Sequence, residues 1–212
     1  MKKLLSFAII ALFATSVFAQ QEVTKFLGIP IDGTKSAMIE KLKAKGFTWN
    51  ARMECLEGEF NGEDVYVKVA TNNNKVWRIG LMDKNLRNET DIRIRFNLLV
   101  NQFERNAKYK KFRNDEDFII QDSERIGENI WLYHKRYRAA YIQNARFKDF
   151  ENMTDEEAEK LSEKEIEQQF RSLIDSALCN QVWFMIEREG YEKFKILMFY
   201  DNERNHANGE DL

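Results

Sequence analysis

Val65, Val67 and Val69 alternate with Tyr66, Lys68 and Ala70 between two turn signals, Asn61-Gly62 before them and Thr71–Asn74 after. A period of two sends the valines to one face of a strand and the other three side chains to the opposite face. Such a strand is half-buried, and it belongs to a sheet covered on one side only. Asn61-Gly62 is the pair most favoured in tight hairpins, because both positions accept positive φ. A strand over Met53–Phe60 therefore precedes Glu63–Ala70, and Val76–Met82 follows the Asn-rich turn.

The covering layer is also in the sequence. Asp32-Gly33-Thr34 turns the chain into a helix over Lys35–Lys45, with Met38, Ile39 and Leu42 as its apolar stripe and Gly46-Phe47 as its stop. Before it, Val23–Ile31 reads as one strand, with Gly28 and Pro30 pointing to an edge position or a bend at its end. In the second half, Asn88 or Thr90 caps a helix running to Asn106, with Ile92, Phe96, Leu99 and Phe103 on one face. Phe118–Ile120 reads as a short strand, and Asn129–Lys135 fits helix or strand equally. Tyr137–Gln143, Gln181–Glu189 and Lys193–Tyr200 read as three more strands, the last two joined at Glu189-Gly190-Tyr191.

A charged helical insertion, Thr154–Leu178, separates the first two of these strands. Thr154 with Glu157 and Ser162 with Glu165 each form a capping box, so two helices or one broken helix are expected. Its polar face reads as solvated surface, with a groove for a partner helix as the alternative. Each half then runs helix, strand, strand, strand, and the last strands end alike, KVWRIGLMDKN at Asp83 and EKFKILMFYDNE at Asp201. The expected fold is α+β: an antiparallel sheet with helices packed on one face, built from two tandem repeats spanning 23–83 and 88–201, with the insertion (about 150–179) in the second.

Met1–Ala19 reads as an address. Lys2 and Lys3 form a basic start, Leu4–Phe13 an apolar run, and Val17-Phe18-Ala19 a signal-peptidase site. The run is shorter than the ~20 apolar residues of a membrane span. Cleavage after Ala19 would leave 193 residues as a single domain, 20–212, of charge −4, periplasmic or secreted and without a membrane anchor. With 33 basic and 35 acidic residues in all, no excess of positive charge suggests nucleic acid. Export permits a bridge between Cys55 and Cys179, the only two cysteines, with two separately buried thiols as the alternative.

The familiar chemistries find little footing. No nucleophile elbow, HExxH or Gly-rich phosphate loop occurs, and His134 and His206 are the only histidines. His134, among Trp131, Tyr133 and Tyr137, reads as a packed residue, and His206 as part of a polar surface tail. A carboxylate pair is available to any chain with 35 acids. Asp201, Asn205, Asn208 and Asp211 could supply oxygens to calcium, or could instead form turns that tie the terminus to the sheet. Of the four tryptophans, Trp77 and Trp183 fall within apolar strands and are expected in the core, whereas Trp49 is the best candidate for an exposed sugar-stacking ring. No catalytic, cofactor-binding or metal-ligating residue is assigned.

The phrases FLGIPIDGTKSAMIEKLKAKGF, LEGEFNGEDVYVKVA, VWRIGLMD and ILMFYDNERNHANGEDL resemble a family of small exported proteins of unknown function from Gram-negative gut bacteria. The resemblance covers most of the mature chain loosely; the segment from Arg146 to Cys179 departs from it. Where that family often carries KYG-x-P, this chain has Lys108-Tyr109-Lys110-Lys111-Phe112. The resemblance implies export and an α+β fold, and it brings no activity. The expected function is a non-enzymatic binding or interaction module that meets a protein or peptide through the open sheet face or the insertion. The alternatives are a carboxylate-dependent hydrolase of envelope polymer or glycan and, more weakly, a calcium- or sugar-binding module.

Overall fold

The structure, a computed structural model, describes residues 23–111, 117–143, 162, 164–168, 171 and 180–206. The expected signal peptide, Thr154 with Glu157, and Cys179 lie outside them. The first segment differs from the single strand expected. It is a hairpin, β1 (Lys25–Phe26) and β2 (Ile29–Pro30), closed by Leu27 and Gly28 at φ 50° and 81°. Gly28 supplies the left-handed conformation that the turn needs, and this outweighs the run of apolar residues that suggested continuity.

Helix α1 (Lys35–Lys43) starts where the Thr34 hydroxyl accepts the Ala37 N–H at 3.3 Å, and buries Met38 and Leu42 one turn apart. It ends at Gly46, whose φ of 99° lets the Phe47 N–H return to the Leu42 carbonyl at 3.2 Å. β3 (Thr48–Asn50), β4 (Cys55–Phe60), β5 (Glu63–Asn72) and β6 (Lys75–Asp83) follow as an antiparallel meander. Asn61-Gly62 and Asn73-Asn74 close its last two hairpins, all four with positive φ.

Helix α2 (Glu89–Arg105) is capped by the Asn88 side chain, which accepts the Asp91 N–H at 2.9 Å. Ile92, Phe96, Leu99, Val100 and Phe103 form its buried stripe. After β7 (Tyr109–Lys111) comes α3 (Ile126–Tyr133), which settles the helix-or-strand ambiguity of its region. The Glu89 carboxylate caps α3 from the first turn of α2, accepting the Ile126 and Gly127 N–H groups at 2.8 and 3.1 Å. Phe118–Ile120 is no strand; Ile120 is held to α2 by exchanging two 2.9 Å hydrogen bonds with the Asn97 amide. β8 (Arg138–Gln143), β9 (Gln181–Arg188) and β10 (Phe194–Asp201) complete the sheet. In the insertion, residues 164–168 are helical, and the Ser162–Glu165 capping box forms: the Ser162 N–H reaches Glu165 Oε2 at 2.9 Å.

The protein is thus an α+β fold with helices on a mostly antiparallel eight-stranded sheet of order β3-β4-β5-β6-β10-β9-β8-β7. The two four-stranded halves meet at β6 and β10, where Leu81 lies opposite Met198 and Ile79 opposite Tyr200. These four side chains face α1 and α2 and are buried. Phe26 ties the halves together from the same side, its ring 5.2 Å from Phe60 and 5.0 Å from Tyr200. Its hairpin is pinned by Gln143, which accepts the Lys25 N–H at 2.7 Å and donates to the Lys25 carbonyl at 2.9 Å.

The similar endings at Asp83 and Asp201 are not structural equivalents. Asp83 lies opposite Val65 on the helix-covered face, 3.5 Å from Arg95 of α2, whereas Asp201 lies on the open face. An alignment on the two aspartates is therefore one residue out of phase, and a one-residue slip exchanges the faces of a strand. Cys55 is a free, fully buried thiol in β4, four strand positions from β9. Burial, and then the nearby Glu57, push its pKa up, which makes it inert.

Gly58 of β4 faces the covered side, where a Cβ would come within 2.7 Å of the Phe47 ring. Gly58→Ala is expected to displace that buried ring and cost ~1–3 kcal/mol, the usual penalty of overpacking, as read from the urea unfolding midpoint.

Candidate functional site

Alternation along the strands gives the uncovered face of the sheet its content. Tyr66, Met82, Leu197 and Met185 stand opposite one another across β5, β6, β10 and β9, with Arg138 of β8 at the end of the row. The neighbouring row is Lys68, Gly80, Phe199, Trp183 and Ala140. The apolar members are half-buried without a helix above them among the described residues, while Lys68 and Arg138 are exposed. Gly80 leaves room beside Phe199: a Cβ there would sit 3.4 Å from the ring. The Phe199 ring in turn stacks on Trp183 at 4.3 Å.

One end of these rows is organised by an ion pair. Arg78 and Asp201 lie opposite each other, and the guanidinium donates Nε to Oδ1 at 2.6 Å and Nη2 to Oδ2 at 2.7 Å. The Trp183 indole N–H also donates to Asp201 Oδ2, at 2.8 Å. The carboxylate is 1% exposed, and the Arg78 guanidinium lies 4.3 Å from the Trp77 ring centre and 4.8 Å from that of Phe199. A planar cation satisfied in two directions by one carboxylate, with its faces against rings, is held in one orientation. Trp77 is the extra residue of a bulge that shifts the β5–β6 register between Ala70 and Thr71. Its ring carries His206 on it, with centres 4.2 Å apart. At the far side of the rows, Arg138 lies 4.3 Å over Trp183.

A second ion pair borders the face. Lys84 meets Glu57 Oε2 at 2.6 Å and lies 4.9 Å over Tyr66. Lys84, and then the Asn50 amide, hold the Glu57 carboxyl below its ordinary 4.5, and the same carboxylate holds Lys84 above its ordinary 10.5.

Several residues singled out from the sequence stand elsewhere than expected. Trp77 and Trp183 belong to the open face rather than the core: strand parity turns Trp183 away from the helices, and the bulge puts Trp77 out of phase with buried Ile79. Trp49 packs against the core instead of standing free. His134 is exposed and ends α3 at φ 52°, so it is a helix-terminating residue and not a packed one. Of the proposed calcium oxygens, those of Asp201 are engaged by Arg78 and Trp183. The Asn205 amide donates to Asp32 at 2.9 Å and to the Val76 carbonyl at 2.8 Å. Asn202 likewise donates to the Ile31 carbonyl at 2.8 Å, so this tail ties the terminus to the sheet. Asn208 and Asp211 lie outside the described residues. Arg78, Arg138, Met82, Met185 and Phe199 went unnoticed in the sequence; the alternation that exposed Tyr66 and Lys68 extends to them once the register is known.

Three hollows of about 510 to 780 Å³ are present among the described residues, and none is lined by two carboxylates: one holds Glu187, one Glu59 and the third no acid. No group of three metal-ligating side chains comes together among the described residues. Compared with protein-family models, curated proteins and solved structures, the chain shows no match.

Asp201→Asn would leave the Arg78 guanidinium without its counter-charge beneath three rings. Arg78 is 25% exposed, so the loss is expected at the lower end for a broken buried pair, about 3 kcal/mol in chemical unfolding. Removing the exposed Glu167–Arg171 pair should instead change stability by less than ~0.5 kcal/mol.

The Glu57–Lys84 pair gives a pH signature. A depressed carboxyl contributes stability above its unfolded value and loses it as pH falls through the folded one; a raised ammonium contributes below its unfolded value and loses it as pH rises. The stability difference between the native protein and a Glu57→Gln/Lys84→Met variant should therefore be flat between pH 4.5 and 10.5 and shrink beyond both ends. A difference in melting temperature independent of pH from 3 to 11 would contradict this.

Proposed function

We propose that this protein is a non-enzymatic interaction module, exported by its N-terminal segment to the periplasm or cell exterior, that docks a protein partner on its open sheet face. One observation carries the reading. The face that the described helices leave open has a half-buried centre of Trp183, Phe199, Met82 and Met185 with ordered arginines around it. Aromatic residues, Met and Arg are the side chains enriched at protein interfaces, and burying such a centre gives an interface its affinity. Eight strands set ~4.8 Å apart make a face ~34 Å wide, a scale suited to an interface of ~800 Å² per partner. Lys68 and Arg138 stand exposed on either side of the centre, so the partner surface carries acidic groups around an apolar middle.

The reading includes a duplicated origin for the two halves. Its support is the mirrored order of four strands on each side of the β6–β10 junction, each set preceded by a helix on the same face.

A photo-crosslinking residue at position 82 or 185 is expected to capture one and the same protein in envelope extract. The same residue at Ile94, exposed on α2, should not capture it. A Lys68→Glu/Arg138→Glu variant, altered only at exposed positions, should lose the adduct while staying folded, its melting temperature lowered by no more than the loss of the Arg138–Trp183 contact. Equal capture from position 94, or an adduct that survives charge reversal, would remove the support.

A further inference from the structure

A separate cleft lies on the helix-covered side, at the tip of the β1–β2 hairpin. Two adjoining hollows, about 510 and 590 Å³, flank the tip and share Leu27, Phe60, Asn106, Tyr109 and Tyr200. The first has an apolar floor of Phe103, Met198 and Tyr200, all buried. The second is lined by Lys25 and Lys108 and contains no acid. Neither lysine has an ion-pair partner among the described residues. Glu59, the one acid of the cleft, is exposed and belongs to the first hollow.

Both lysines rise from pinned backbone. Gln143 clamps the Lys25 peptide through both amide atoms, and its Nε2 also donates to the Tyr109 hydroxyl at 3.1 Å. Asn106 fixes the other side: its side chain accepts the Lys108 N–H at 3.1 Å and its carbonyl accepts the Tyr109 N–H at 2.9 Å. Between them Leu27 occupies a left-handed position, φ 50°, where Asn or Gly is the unstrained choice. Its side chain is 38% exposed, so burial in the core does not offset that strain. It lines both hollows, where an occupant would cover it.

We propose that this cleft binds a small apolar monocarboxylate, with its hydrocarbon body on the Phe103–Met198–Tyr200 floor and its carboxylate between Lys25 and Lys108. The separation of charge sets the orientation: Glu59 repels the head group from the first hollow and the lysines attract it to the second. An apolar floor set beside placed polar and charged groups is the combination by which small-molecule sites fix a ligand's orientation.

Calorimetric titration of the mature protein with decanoate and with 1-decanol tests this. Decanoate is expected to bind saturably at one site, at least about tenfold tighter than decanol, since each charge-assisted contact contributes about that factor or more. Lys25→Gln/Lys108→Gln should abolish that preference and leave decanol binding unchanged. Leu27→Asn, which suits the turn and should not lower the melting temperature, is expected to weaken both ligands. Equal affinity for acid and alcohol, no saturable binding, or decanoate binding unaffected by the double lysine variant would overturn the proposal. The open-face variant Lys68→Glu/Arg138→Glu should bind decanoate normally, so failure of this site and failure of the docking face are read separately.

Discussion

The antiparallel pairing of β6 with β10 is the contact on which the rest of the molecule depends. Each half ends on that strand, so without the pair each four-stranded meander would keep an unpaired central edge, a template for aggregation. The pairing places Leu81, Ile79, Met198 and Tyr200 in one buried layer under both helices. It also brings Arg78 opposite Asp201, and Gly80 opposite Phe199, on the other side. The hairpin at the N-terminus seals the same junction, since Phe26 touches Phe60 from one half and Tyr200 from the other.

Among the described residues the helices cover one face of the sheet, and the candidate docking surface is the other. Helices α1 and α2 bury their stripes against one face, so the other must balance half-buried rings with polar contacts of its own. The Arg78–Asp201 pair does this by fixing a cation between aromatic faces instead of leaving it mobile in water. Asp83, which ends the equivalent strand of the first half, meets Arg95 and Arg87 on the helix side. Two similar strand endings thus serve opposite faces: one joins a helix to the sheet, and the other shapes the open surface.

Much of this fold was legible in the residues because its signals are local. Asn61-Gly62 marks a turn wherever it stands, since both positions accept positive φ. Val65, Val67 and Val69 declare their face within five residues, and the Asn88 cap and the Ser162–Glu165 box lie three residues from the groups they satisfy. Elements lacking such signals were missed or misread. β3 and β7 are three-residue edge strands defined only by their neighbours, and Phe118–Ile120 looks like a strand but is satisfied by Asn97, over twenty residues away. The site was less legible than the fold. Trp77 and Trp183 lie in apolar strands, and whether such a ring faces helix or solvent depends on register across partners distant in sequence.

The sequence by itself determined an α+β protein with helices on an antiparallel sheet, because periodicity and turn chemistry are properties of neighbouring residues. It also carried the charge balance and the scarcity of histidine that narrow the available chemistry. Only the tertiary structure decided that the halves join through β6 and β10, and that Asp201 rather than Asp83 lies under the aromatic cluster. It alone placed Lys25 and Lys108 on one cleft. These are pairings between residues about eighty to a hundred and twenty positions apart. Such contacts form only when the whole core is buried at once, and a shift of a single residue would turn each side chain to the wrong face.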